Sequence, residues 1–342
     1  MEWSWNLCLA EMKKILITGG FGFLGSHLVE ELLKNKKNKV HVVDNLSSSP
    51  LPLDYLLSIL ENKERLTYDI KNLIDYDPQE KFDQIYHLAS IVGPVGVLKH
   101  PGNIVKNTVD DTYYVMGLAQ KMEARLVDVS TSEIYGGGRD GFCSESMSKI
   151  IQPDITIRLE YAIGKLACEI ALVNKVRSSM LDAVIVRPFN ISGPRQSGKG
   201  GFVLPIFIFQ AINNQPITVF GKGNQIRAFT HVKDVVIGVI NSMRYGVKGE
   251  AYNIGNVANK TSILQLAKDV VKYTNTKSEI IFVDPKTIYG DKFAEANDKY
   301  PDDSKAFIEI GWRPKYNKKR VIEDTYRFMY DIKDPEILNY LR

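Results

Sequence analysis

Between Met12 and Arg187, short runs of apolar and β-branched residues alternate with stretches in which apolar positions recur every three or four residues. KKILITGG gives way to SHLVEELLKN; NKVHVVDN, DQIYHLAS, ARLVDVSTS and DAVIVRP repeat the first type, and Pro101 to Glu123 and Leu159 to Arg177 repeat the second. The short runs are apolar nearly throughout, as strands covered on both faces are, and crossover helices separate them. The pattern predicts an α/β fold, a doubly wound parallel sheet of Rossmann type over residues 12–187. After Pro188 the texture changes to the Gly- and Pro-rich loop ISGPRQSGKGG, followed by short helices and strands as far as Arg342. No Ser/Pro-rich tether divides the two halves, so residues 188–342 are expected to form mainly a smaller α/β substrate domain interleaved with the first. Its run FVLPIFIF reads as a core helix.

Composition narrows the setting. The chain has 342 residues, 44% hydrophobic and 25% charged, and a chain of that size can bury roughly three-quarters of its unfolded surface. Against 40 acidic residues stand 44 Lys+Arg, scattered except for KNKKNK at Lys34 to Lys39, which reads as the solvated end of a helix. Nucleic acid is not an expected partner. No stretch approaches the roughly 18 uninterrupted apolar residues of a membrane span, so no membrane is expected either. Cys8, Cys143 and Cys168 are odd in number and widely spaced, without CxxC or Cys/His ligand spacing; neither a disulfide frame nor a metal site is expected, and a reducing cytoplasm fits. MEWSWNLCLAEM carries Glu2 where a signal peptide has positive charge, and reads as a tail ahead of a start at Met12.

The first site candidate is the glycine cluster. Gly19, Gly22 and Gly25 are spaced G-x-x-G-x-x-G at the junction of the first strand and helix. The first permits a tight turn, the second lets backbone approach a pyrophosphate, and the third lets helix and strand pack closely, with Phe23 and Leu24 opening the helix N-terminus that attracts phosphate charge. Asp44 closes the next strand, 19 residues beyond Gly25. A carboxylate there accepts hydrogen bonds from ribose hydroxyls and repels a 2′-phosphate, so the cofactor predicted is NAD rather than NADP.

The second candidate is Tyr161 with Lys165, four apart and therefore on one helix face. A phenol ordinarily ionises near pH ~10, and an adjacent ammonium favours the phenolate, making the pair a proton acceptor. The strand end VSTSEIYG, Val129 to Gly136, is expected to bring Thr131, Ser132 and Glu133 to the same crevice, because parallel sheets bind ligands at the carboxyl ends of their strands.

Together these residues resemble the extended short-chain dehydrogenase/reductase family, in its NAD-dependent sugar-nucleotide epimerase, dehydratase and decarboxylase group, over nearly the whole chain from Lys13 to about Trp312. HLAS, with Leu88, Ala89 and Ser90, is similar to the strand beside the nicotinamide. Asp69 and Ile70 are similar to the pair near the adenine, with Asn45 beside Asp44, and Asn107 falls in the long helix where the family has a structural Asn. RPFNISGPRQ matches the segment leading into the substrate domain, and Gly201 to Val235 the nucleotide-diphosphate pocket.

The resemblance implies NAD-dependent oxidation at C4 of a nucleotide-diphosphate sugar, as the first step of epimerisation, 4,6-dehydration or decarboxylation. Tyr161 is then the base, Lys165 lowers its pKa and holds the nicotinamide ribose, and Thr131 hydrogen-bonds the reacting hydroxyl. Glu133 is either the group that acts on a neighbouring carbon once a C4 ketone acidifies it or a carboxylate that orders the strand end. Asn190 touches the sugar or its diphosphate; Phe202, Val203, Thr218 and Phe220 line the base; Arg227 clamps the diphosphate. Where the family ordinarily carries Arg-Arg, this chain has Asp298 and Lys299, which leaves Lys299 the diphosphate contact or the pocket arranged for another nucleotide. The loop Ser90 to Gly102 over the sugar has few polar side chains. Alternatives are a C4 dehydrogenase that releases a 4-keto product, a reductase of a small ketone, and a non-catalytic NAD sensor; intact Tyr161, Lys165 and Thr131 weigh against the sensor. The two long helices resemble those through which family members pair, so a homodimer or larger homo-oligomer is expected.

Overall fold

The computed structural model describes residues 12–136, 141–151, 157–284, 286–289 and 298–341. The N-terminal tail with Cys8 and most of the segment between Ile288 and Asp298 lie outside the described residues.

In the first half, β1 (Lys13–Thr18) leads through the glycine turn into α1 (Phe23–Leu33), then β2 (Asn38–Asp44), α2 (Leu53–Ile59), β3 (Leu66–Ile70) and β4 (Gln84–His87). The chain continues with α3 (Pro94–Leu98), α4 (Ile104–Met122), β5 (Arg125–Val129), β6 (Gly141–Cys143), α5 (Ile157–Arg177) and β7 (Ala183–Pro188). The main sheet runs β3-β2-β1-β4-β5-β7 and is completed by Ala251–Ile254, a strand from the second half. All six pairings are parallel. The order reverses between β1 and β4, the place where such sheets open a ligand crevice.

Alternation within the strands divides the core into two faces. Ile15, Ile17, Val127, Val184 and Val186 pack with α1 and helix Val232–Tyr245, whereas Leu16, Ile85, Leu126 and Ile185 pack with α4 and α5. KNKKNK is more than a solvated helix end: β2 already begins at Asn38, which is buried and donates to the Leu32 carbonyl at 2.8 Å. FVLPIFIF forms helix Val203–Ile212 with Leu204, Phe207 and Ile208 buried, as the pattern predicts. The loop Ser90 to Gly102 contains α3, whose Val97 packs with Ile104 against the ring of Tyr161.

The α4 start falls at Ile104 because its N-terminus is capped from another helix. No side chain of its own caps it; instead the Glu160 carboxylate on α5 accepts from the N–H groups of Gly102 and Ile104, each at 2.9 Å. This bond ties α4 to α5 one residue before Tyr161 and so sets the height of the phenol over the sheet. Beyond Pro188, a second sheet interleaves the halves: Ile226–Ala228 lies between Lys260–Ser262 and Lys299–Pro301, and the latter pairs with β6 of the first half.

Candidate active site

The glycine turn has the shape a pyrophosphate requires. Gly19 has φ +72°, and a Cβ on it would stand 2.7 Å from the Ala89 nitrogen; one on Gly25 would stand 2.1 Å from the Gly19 carbonyl. At Gly22 such a Cβ would stand 3.3 Å from the Gly19 carbonyl oxygen, a tight contact but a far milder one than at Gly19 or Gly25, so the main demand on this glycine is the approach of a ligand to the turn. Helix α1 opens on Gly22 with no side-chain cap, leaving first-turn amides at Phe23 and Leu24 for an anion. The turn thus fits a dinucleotide.

Asp44 sits at the end of β2, half-buried, and accepts from the N–H groups of Phe21 and Leu46, both at 2.8 Å. Burial raises its pKa while these bonds act in the opposite direction, so the expected ribose ligand also braces the glycine turn. Asn45 is exposed and bonded to Asn72, Asp69 bridges His41 and Lys71 at 3.3 and 3.1 Å, and Ile70 is exposed at the end of β3. Leu88, Ala89 and Ser90 follow β4 and border Gly19. Asn107 is exposed on α4, and the buried positions of that turn are Ile104 and Thr108.

At the end of β5, Thr131 is buried and its Oγ1 accepts from the Glu133 N–H at 3.1 Å, turning the chain so that Ser132 is buried and Glu133 half-buried. Tyr161 is buried, and burial raises its pKa; Lys165 is the largest opposing influence, followed by the Thr131 hydroxyl beside it. Lys165 is 1% exposed and donates from Nζ to the Val129 carbonyl at 3.0 Å. Phenol, ammonium and the Thr131 hydroxyl therefore meet where the crevice opens.

Asn190 has φ +37°, and its Oδ1 is buried without a hydrogen-bond partner among the described residues. Phe202 packs over Gly93 and Gly200, and Val203 begins the following helix. Thr218 and Phe220 lie on strand Ile217–Phe220, with the Thr218 hydroxyl taken up by Gln210 at 2.9 Å. Arg227 and Lys299 are register partners on neighbouring strands, and both are buried.

Lys299 has a partner within the protein. Its Nζ lies 2.5 Å from Glu133 Oε1, with the lysine side chain 3% exposed and the glutamate 27%. Asp298 instead accepts the Ile226 N–H at 2.8 Å and holds the strand pair together. Lys299 thereby joins the diphosphate side of the pocket to the acid beside Tyr161.

Sequence reasoning missed a polar layer under these residues. Arg187 on β7 makes two hydrogen bonds to Glu169, at 3.0 and 2.6 Å, and one to the Tyr135 hydroxyl at 2.9 Å, all buried. Glu169 follows Lys165 by four on α5, a spacing that marks the shared face but not the partner 18 residues away.

A Rossmann sheet with this glycine turn, an acid at the end of β2 and a Tyr/Lys pair facing the switch point defines an NAD-dependent enzyme of the extended short-chain dehydrogenase/reductase group. The chain belongs to the NAD dependent epimerase/dehydratase family, whose model matches residues 15–255. It is 33% identical over 335 residues to UDP-glucuronic acid decarboxylase 3 of Arabidopsis thaliana, covering 96% of this chain and 92% of that protein. It is 31% identical over 331 residues to UDP-N-acetyl-alpha-D-glucosaminuronate decarboxylase of Bacillus cytotoxicus, covering 94% and 99%. Among solved structures it resembles UDP-glucuronic acid 4-epimerase of Bacillus cereus in complex with UDP-glucuronic acid and NAD, with a TM-score of 0.78, 26% identity and coverage of 92% and 98%. Membership agrees with the reading of an enzyme that uses NAD and begins by oxidising C4 of a nucleotide sugar.

Proposed function

We propose that this enzyme decarboxylates a UDP-linked uronic acid by way of its C4 ketone. The observation that carries the reading is the Glu133–Lys299 ion pair at 2.5 Å, set at the end of β5 beside the proton acceptor Tyr161. Its support from outside the site is the match over nearly the full chain to two decarboxylases of UDP-linked uronates.

Bound NAD+ supplies the hydride acceptor and a positive charge next to the phenol. Tyr161 takes the C4 hydroxyl proton, Thr131 orients that hydroxyl, and Lys165 stabilises the phenolate. A C4 ketone makes the C6 carboxylate a β-keto acid: the C5–C6 bond breaks, CO2 leaves, and the electron pair passes into the C4 oxygen as an enolate beside Thr131 and Tyr161. The Glu133–Lys299 pair then delivers a proton to C5, and Tyr161 gives its proton back to the C4 oxygen; the bound nicotinamide would supply the hydride for C4. Arg227 holds the diphosphate through its planar fork, and Asn190, with its unfilled amide oxygen, takes a hydroxyl of the sugar or a donor near the diphosphate.

Incubation with UDP-glucuronic acid and NAD+, followed by mass spectrometry, tests the reading: a nucleotide pentose formed with release of CO2 supports it. An epimer of unchanged mass would replace it with C4 epimerisation and reduce Glu133 to a scaffold. The exposed faces of α4 and α5, with Tyr113 and Ile170 half exposed, further support a homodimer paired through these helices; a monomer mass by sedimentation at micromolar concentration would refute that assembly.

A further inference from the structure

The sheet face under α4 and α5 is apolar at Leu16, Ile85, Leu126 and Ile185 and then turns polar one step nearer the crevice. Thr18, His87 and Asp128 are register partners across β1, β4 and β5, and all three are essentially inaccessible to solvent. Asp128 occupies a strand position where the surrounding pattern calls for an aliphatic residue. It is 0% exposed, and neither carboxylate oxygen has a hydrogen-bond partner among the described residues. A carboxylate so placed is costly unless a charge nearby compensates it.

The surrounding groups leave one such charge. At the ends of β1 and β4, the Thr18 hydroxyl accepts from the Ala89 N–H at 3.3 Å and shares a hydrogen bond with His87 Nδ1 at 2.7 Å, so both groups are engaged with each other. Nε2 stands 3.5 Å from the Thr112 hydroxyl and 3.9 Å from Asp128 Oδ1, and burial holds the imidazole neutral. On β7, Arg187 is committed to Glu169 and Tyr135. On α5, Cys168 directs its thiol to the Thr108 carbonyl at 3.6 Å, and Asp111 on α4 is itself an acid under the influence of Lys165. Lys165 remains: its Nζ is bonded to the carbonyl of Val129, the residue directly after Asp128. Burial works against the charge of both groups, raising the Asp128 carboxyl and opposing the ammonium, and each is the foremost charge that favours the ionised form of the other.

We propose that Asp128 is a positioning residue for the reaction: its carboxylate is the buried counter-ion that keeps Lys165 charged and anchored beneath Tyr161, and it offsets part of the positive charge the phenol feels. The inference rests on Tyr161 and Lys165 forming the proton acceptor, as the function above requires. With the counter-ion gone, the ammonium acts on the phenol uncompensated and the phenolate forms at lower pH; the ammonium also loses its proton at lower pH. Both limbs of the pH–rate profile therefore move down together.

The test uses the full chain with NAD+ and the Asp128→Asn and Asp128→Leu variants. The phenolate ultraviolet absorbance of Tyr161, taken as the difference from Tyr161→Phe, needs no substrate and is expected to titrate about one pH unit lower in both variants. An unmoved Tyr161 titration in either variant, or a wild-type infrared band of a protonated buried carboxyl at neutral pH that vanishes in Asp128→Asn, would overturn the proposal. A shifted titration in a protein that turns over no nucleotide sugar would sink the decarboxylase reading and leave the role of Asp128 standing.

Discussion

Replacing Glu133 with Gln separates chemistry from scaffolding at the end of β5. The glutamine keeps an oxygen that can accept from Lys299 Nζ, which now sits 2.5 Å from Glu133 Oε1, but it removes the negative charge facing an ammonium that is 3% exposed. Breaking a fully buried ion pair costs about 3–5 kcal/mol. Here the glutamate is 27% exposed and the hydrogen bond survives, so the loss is expected at about 1–2 kcal/mol, a few degrees in Tm. The catalytic effect should be far larger, about 100- to 10,000-fold in formation of the final nucleotide pentose, as for removal of a proton-transferring group. C4 oxidation relies on Tyr161, Lys165 and Thr131, so it should persist in the variant. Stopped-flow absorbance of the reduced nicotinamide, read beside product analysis by mass spectrometry, would show reduced cofactor and a 4-keto nucleotide sugar building up. A variant that yields final product at the wild-type rate would show that Glu133 only orders the strand end, and the carrying observation would fail with it.

Other outcomes follow from the same geometry. Tyr161→Phe should abolish cofactor reduction by at least about a thousandfold while leaving NAD affinity within a few-fold, measured by calorimetry; retained reduction would move the base elsewhere. Gly22→Ala should fold with a Tm lowered by only a few degrees and bind NAD weakly, because the added methyl meets the Gly19 carbonyl at 3.3 Å, a contact a small shift relieves, whereas Gly25→Ala, whose methyl would meet the same carbonyl at 2.1 Å, should fail to give folded protein; equal behaviour of the two by circular dichroism would contradict the division of roles. Burial pushes the Asp111 carboxyl up to about 6 from an ordinary 3.8, so the fold binds a proton that the unfolded chain has released. Its effect is a stability that declines as pH rises from about 4 to about 6, on the order of 1 kcal/mol after discounting for partial exposure; urea midpoints of Asp111→Asn should lose that slope and exceed wild type at pH 7, and an unchanged slope would refute the assignment. Glu169→Gln should cost about 3 kcal/mol in urea unfolding, since it removes the charge that Arg187 meets through two buried bonds.

What could be read from the sequence was whatever depends on neighbours along the chain. The switch from continuous apolar runs to helical spacing located the main strands and α1, α4 and α5 to within a few residues, and the 19 residues from Gly25 to Asp44 placed the acid at the end of β2. What could not be read depends on partners remote in sequence. The N-terminus of α4 is capped by Glu160, about 56 residues away. Lys299 reaches Glu133 across 166 residues because Lys299–Pro301 pairs with both Ile226–Ala228 and β6; spacing alone left that lysine as a substitute for a diphosphate ligand. Asp128 was the least legible, since in a strand of this pattern one carboxylate reads as an interruption of the core. Only the fold reveals that the interruption lies beneath a lysine. These long-range contacts share a consequence: the charges that act on the reacting carbon are assembled from both halves of the chain, so the proton acceptor is local to α5, whereas the group that acts after C4 oxidation is completed only when the second sheet closes on the first. The residues of the proton acceptor are therefore carried by short motifs, and the pair on which the proposed decarboxylation rests depends on tertiary pairing.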